Sequence, residues 1–340
     1  MVCVAAFIIL LIIGIGAALI SIFNREFGRK YLSILKKSFH CFSKRIRLQK
    51  CDTSFSEDVK TVLLKKLVIK KPKLVKPLSI TIEIASALLI ILTIWSIIEA
   101  AKAGLALWVF GTCNVSQPSN CALGAESCSI DENNLNWFTE WGEIFSNIPD
   151  RIKEWNADDY LGENGLYVAF TTGDDSAASA ISIVDPGCSV CLQSYKNIKN
   201  STEFLQKHKL YVIVYPIKNP DGTYRFKNSE IITRYILAVD QATAAKIIDR
   251  IFTQYNSDGV IYQNVFNEQL SNDEATSLLQ QWLKEWGMTD SQIEGVKTEA
   301  YSETVEAELR RNENIITSEI KPKGIPTMIY DGKKHLGLYK

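Results

Sequence analysis

Histidine is nearly absent from this chain, with three among 340 residues. His208 and His335 show no ligand-like spacing with the cysteines. His40 beside Cys41, with Cys51 ten residues further on, is too sparse a set for a metal centre. Neither a metal nor a cofactor is expected. Net charge is absent too, because 38 Lys/Arg balance 38 Asp/Glu. That balance hides two opposite excesses. Residues 24–78 carry sixteen Lys/Arg against four Asp/Glu, and residues 111–340 carry twenty-one against thirty-two. Such a split is what the positive-inside rule gives for a chain that crosses a membrane.

Charge is missing altogether from Val2 to Phe23, a length that spans a hydrocarbon core of about 30 Å as a helix. A cleaved signal peptide is the alternative for this segment. It lacks the basic n-region and the clean Ala-x-Ala site that signal would have. Residues 78–110 form a second apolar segment, interrupted by Glu83, Glu99 and Lys102, with Trp95 and Trp108 as interface anchors. Two transmembrane helices, 1–23 and 78–110, therefore flank a basic cytoplasmic loop, 24–77, and bilayer is an expected partner. Positive-inside retention accounts for that loop, so nucleic acid is not expected to bind it. The C-terminal domain is then extracytoplasmic, in the cell membrane's outer space. Neither apolar segment holds a cysteine pair (Cys3 stands alone), so the chain has no intramembrane dithiol to reduce a quinone.

Residues 111–164 read as an extracytoplasmic linker containing Cys113, Cys121 and Cys128. In an oxidising compartment two of the three are candidates for a structural disulfide, and one is left over. The pattern does not choose the pair. Trp137, Phe138, Trp141, Ile144, Phe145, Ile148, Ile152 and Trp155 recur at helical spacing, broken at Pro149. Acidic residues on the polar side favour a helix packed on the next domain over one lying on anionic lipid.

That domain occupies 165–340. Leu166–Phe170 reads as a strand. Ala180–Val184 is a buried strand, broken by Pro186 and Gly187, and Cys188-Ser-Val-Cys191 follows where a helix over 192–207 begins. At a helix start, orphan N–H groups and the dipole favour the thiolate. Leu210–Pro216 is the next strand, which completes a βαβ unit. Residues 229–312 are helical, with a capping box at Ser271 and Glu274. Gly324–Tyr330, the turn Asp331-Gly332 and His335–Tyr339 read as a hairpin.

Cys188-Ser-Val-Cys191 after a strand, with Ile325-Pro326-Thr327 opening a late hairpin, resembles the thioredoxin superfamily. The helical insertion makes it most similar to the DsbA-like branch. The resemblance covers about 165–340 and implies an α/β thioredoxin fold with an inserted helical subdomain. It also implies a protein-disulfide oxidoreductase working through mixed disulfides. Cys188 matches the attacking cysteine, more exposed at the helix start, and Cys191 the buried resolving one. Pro326 matches a cis proline beside the sulfurs, and Ile325 a residue that offers its backbone to a substrate peptide. Exported proteins with cysteines are the expected substrates, and a separate membrane redox partner is implied. The compartment favours oxidation or isomerisation over reduction. Two departures stand out. The family's buried carboxylate falls on Ser182, with Asp185 a poor substitute near the turn, and no helix follows the hairpin. A metal-binding protein using Cys188 and Cys191 for copper or zinc, and a non-catalytic membrane-anchored binding module, are the alternative functions.

Overall fold

The computed structural model describes residues 75–118, 127–130, 135–161, 167–170 and 177–339. The expected first span and nearly all of the basic loop lie outside these residues. The second apolar segment is one helix, α1 (Val75–Phe110), of 36 residues. Its part Ile91–Phe110 is long and apolar enough to cross a membrane, and among the described residues it is the only such stretch. Two spanning helices are thus not established. Ile91, Ile94, Trp95 and Ile97 all present exposed apolar side chains.

From Lys102 onward the chain belongs to one compact unit. A two-residue strand, β1 (Cys128–Ser129), precedes α2 (Trp137–Ser146) and α3 (Ile148–Ile152). The helical run breaks at Asn147, and Pro149 stands inside the first turn of α3, where the missing N–H has no intrahelical partner to lose. The expected break at Pro149 is displaced for that reason. Ile144 packs with Ala106, Val109 and Val115, while Lys102 bonds Glu140 at 2.7 Å. Trp155, Ala157 and Tyr160 enter the main core, and the Trp155 N–H donates to the Gly332 carbonyl. One side of the aromatic segment is therefore packed on the domain, while Phe138, Phe145 and Ile152 remain exposed.

The main sheet uses β2 (Tyr167–Phe170), β3 (Ala178–Val184) and β4 (His208–Val214). Every residue from Ala180 to Val184 is buried, as a continuous apolar run in a central strand requires. β3 and β4 are parallel, joined by α4 (Ser189–Asn200) and α5 (Thr202–Lys207). The single helix expected over 192–207 is two, because Ser201 leaves helical geometry and its hydroxyl caps the Phe204 N–H. The insertion follows as α6 (Ser229–Leu237), α7 (Gln241–Thr253) and the short α8 (Tyr262–Asn264), which runs into a π turn, Val265–Gln269. It closes with α9 (Asn272–Glu285), α10 (Asp290–Glu299) and α11 (Glu303–Asn314). The Ser271–Glu274 capping box is formed as read, and a second joins Thr289 to Gln292.

The chain returns to the sheet region through β5 (Gly324–Ile325), β6 (Thr327–Tyr330) and β7 (Lys333–Leu336). Strand order is β2-β4-β3-β6-β7, while β5 pairs only with β1. A parallel β3–α4–β4 unit flanked by an antiparallel hairpin is a thioredoxin-like arrangement. It puts the head of α4 beside the bend between β5 and β6.

Trp282 is fully buried between Phe266 and Tyr262, with the Arg250 guanidinium 4.6 Å from its ring centroid. Trp282→Ala is expected to lower unfolding free energy by about 3–5 kcal/mol, measured by urea titration. A loss below 1 kcal/mol would mean the insertion does not fold with the sheet.

Candidate active site

β3 ends at Val184, and Asp185-Pro186-Gly187 carries the chain into α4. Cys188 is the N-cap residue, and its N–H bonds the Asp185 carbonyl at 3.1 Å. Cys191 lies in the first turn. It is a free, fully buried thiol. Burial pushes its pKa well up, a backbone hydrogen bond with Asp185 opposes that, and the Asp185 charge adds to it.

Cys188 differs from expectation. It is completely buried, because its sulfur is bonded to that of Cys128, 60 residues earlier. Cys128 is thus no partner of Cys113 or Cys121. Cys113 is in a disulfide of its own, and Cys121 lies outside the described residues. β1 runs antiparallel to β5, with Cys128 opposite Ile325 and Ser129 opposite Gly324. The Ile130 N–H extends the ladder to the Lys323 carbonyl at 3.2 Å. From the other side, Arg225 Nη1 donates to the Ser129 carbonyl. The Ile325–Pro326 peptide is cis. The Cys188 sulfur sits 4.0 Å from the Ile325 carbonyl oxygen. The Cys188 sulfur and the Ile325 carbonyl therefore meet, with Pro326 joined to Ile325 and Cys191 in the helical turn that Cys188 caps.

Two glycines make the approach possible. A Cβ on Gly324 would lie 2.8 Å from the Cys128 carbonyl oxygen, and one on Gly187 would lie 2.3 Å from Phe226 Cβ. Both distances are far inside contact range.

A buried polar frame holds the turn. Asp185 is fully buried; its Oδ1 accepts from the Gly187 N–H at 2.7 Å and from the Ser229 hydroxyl, and its Oδ2 from the Ile217 N–H at 2.7 Å. Desolvation raises its pKa to about 6, against the pull of those bonds and of Arg225. Gln263 Nε2 donates to the Pro186 and Cys188 carbonyls at 2.8 and 3.0 Å, and Asn267 Nδ2 to the Gly187 carbonyl at 2.8 Å. Ser182 is buried on β3 but carries no charge. Asp185 is a buried carboxylate whose charge acts on Cys191, and is no surface turn residue. Its position directly after an apolar run was the available signal. Gln263, Asn267 and Arg225 gave none, since they reach the site from 37 to 82 residues away in sequence. Among the described residues no group of three His, Cys, Asp or Glu is placed to hold a metal.

No family model and no curated relative matches the sequence. Solved structures similar to it include thiol–disulfide oxidoreductases. Alpha-DsbA2 from Wolbachia pipientis, a thiol-disulfide exchange protein, shares 15% identity over 54% of this chain and 85% of its own, at a TM-score of 0.36. A thioredoxin-like oxidoreductase from Silicibacter pomeroyi shares 12% over 55% and 91%, at 0.36. The MdbA thiol-disulfide oxidoreductase from Corynebacterium matruchotii shares 15% over 53% and 90%, at 0.37.

Burial makes Asp185 hold its proton more tightly in the folded chain, up to about 6, than an ordinary aspartate does. Its contribution to stability is therefore full below pH 4 and is lost as pH rises to about 6, by roughly 3 kcal/mol. Urea unfolding between pH 4 and 7 is expected to show that slope in the native chain and to lose it in Asp185→Asn. An unchanged slope in the variant would place the titrating group elsewhere.

Proposed function

We propose that this chain is a membrane-anchored thiol–disulfide oxidoreductase whose domain faces the extracytoplasmic side and acts on cysteines of exported proteins. One observation carries the chemistry. The Cys188 sulfur, at the head of α4, is bonded to a cysteine on an extended strand paired with Gly324–Ile325. That is the arrangement of a mixed disulfide between an enzyme and a peptide.

The steps follow from thiol chemistry. In the reduced site the Cys188 thiolate gains from the first-turn N–H groups and the helix dipole, so it is the better nucleophile and leaving group. A substrate chain lies along Gly324–Ile325 and exchanges at Cys188. Cys191 then attacks the Cys188 sulfur and releases the substrate cysteine. Burial keeps Cys191 protonated at neutral pH, so its attack needs a proton acceptor. The Asp185 carboxylate, titrating near 6, is charged at pH 7 and acts on Cys191 electrostatically. This gives Asp185 the acceptor's role and makes resolution slower below pH 6.

Anchoring rests on the apolar helix Ile91–Phe110, on the uncharged stretch 2–23 and on the basic excess between them. The outward-facing acidic domain favours oxidation or isomerisation. Neither apolar segment carries a dithiol, so a separate membrane protein re-poises the site. Substrate and redox partner both reach Cys188.

The chain in detergent micelles is expected to turn over a dithiol peptide in glutathione buffer. Cys188→Ala should abolish turnover, and Cys191→Ala should accumulate a mixed disulfide. An oxidising role expects a Cys188–Cys191 potential nearer about −120 mV than −270 mV. Tight stoichiometric metal binding without turnover would sink the proposal.

A further inference from the structure

On the reading that Cys188 and Cys191 exchange disulfides, we infer that Cys128 is a third redox cysteine. Residues 127–130 are a tethered internal substrate that occupies the peptide groove until Cys191 displaces them.

Three independent features place the segment as a groove occupant. Its backbone pairs with Gly324–Ile325, and Ile130 adds a bond to Lys323, so the recognition is made through main-chain groups any extended peptide carries. Its side chains are set for the site: Cys128 reaches Cys188, while Ser127, Ser129 and Ile130 are all buried. Arg225 grips the Ser129 carbonyl from the far side. A purely structural disulfide needs none of this alignment with the one cysteine that the helix start activates.

Cys191 supplies the release. It remains a thiol one turn along the same helix. Once deprotonated it attacks the Cys188 sulfur. The Cys188–Cys191 bond forms as the Cys128–Cys188 bond breaks, and Cys128 leaves as the thiolate that takes up the proton lost by Cys191. One disulfide and one thiol exist before and after, so no outside oxidant or reductant enters. The chain then holds an oxidised Cys188–Cys191 pair beside an emptied groove. A tethered thiol competes at an effective concentration on the order of millimolar. External peptides below that level meet a closed site, and only those that outcompete residues 127–130 engage it.

The test uses the full-length chain in detergent micelles, oxidised and then acid-quenched, alkylated and mapped by mass spectrometry without reduction. The wild type is expected to yield the Cys128–Cys188 peptide. Gly324→Ala, whose Cβ collides with the Cys128 carbonyl, should shift the map toward Cys188–Cys191. In stopped-flow reaction with a synthetic dithiol peptide, the wild-type rate should plateau at the release step. Cys128→Ser should react about tenfold faster or more, with no plateau. A wild-type map showing only Cys188–Cys191, or equal rates and plateaus in wild type and Cys128→Ser, overturns this inference and leaves the oxidoreductase reading intact. A Cys128–Cys188 bond with no turnover by either protein overturns that reading and the inference with it.

Discussion

Backbone groups at the bend between β5 and β6 need partners, and the whole site is arranged around how they get them. Gly324 and Ile325 are fully enclosed, and β6 turns away at Pro326, so their N–H and C=O groups cannot join the main sheet. An unpaired buried amide costs on the order of 1–3 kcal/mol. Cys128 pairs with Ile325, the Gly324 carbonyl accepts from the Thr327 hydroxyl at 2.6 Å, and the absence of a Cβ at Gly324 lets the β1 strand come close enough. The sulfurs meet because the ladder puts Cys128 opposite Ile325, whose carbonyl already lies against Cys188. Joining residues 60 apart also constrains the unfolded chain by about 4 kcal/mol.

The same turn is held from below by a network that apolar packing alone could not provide. Asp185 accepts from the turn, from the segment after β4 and from the first residue of α6. Three elements distant in sequence are thereby fixed to one carboxylate. The insertion does more than cover the helix. Gln263 and Asn267, on α8 and its π turn, hold the carbonyls of Pro186, Gly187 and Cys188. Asn228 in turn bonds the carbonyls of Phe266 and Leu270, which fixes the π turn to α6. The head of α4 is rigid because its carbonyls are bound, which keeps the Cys188 sulfur aimed at the groove.

What was legible in the sequence was local. The β3–α4–β4 unit followed from an apolar run, a Pro-Gly break and Cys-x-x-Cys, all within one stretch. Ile325-Pro326 was legible as a motif, and Ser271–Glu274 as a cap, because their partners lie within a few residues. The pairing of Cys128 was not, because three linker cysteines offered no distance information and the deciding contact spans the whole domain to Ile325. Asp185 reads in the sequence as a turn residue. A carboxylate next to a turn ordinarily points to water, and only the arrival of Ile217, Ser229 and Arg225 encloses it. The break at Ser201 was hidden by an apolar rhythm that continues through Phe204 and Leu205 on a second helix.

The linker's attachment decides how far the tethered cysteine can travel. Lys323, adjoining Gly324, pairs with Glu143 on α2. Trp155, Ala157 and Tyr160 are buried in the main core. Lys334 lies over Trp155, and the Trp155 N–H is tied to Gly332. Residues 137–160 are thus held on the domain by contacts other than the Cys128–Cys188 bond. Releasing Cys128 requires that residues 127–130 give up a two-residue ladder, the Ile130 bond, the Arg225 contact and the burial of Ile130 in the core. The thiol then remains a few residues from a fixed anchor. Its return is an intramolecular closure over a short loop, which is why displacement is reversible and an external peptide must compete for the groove rather than simply find it.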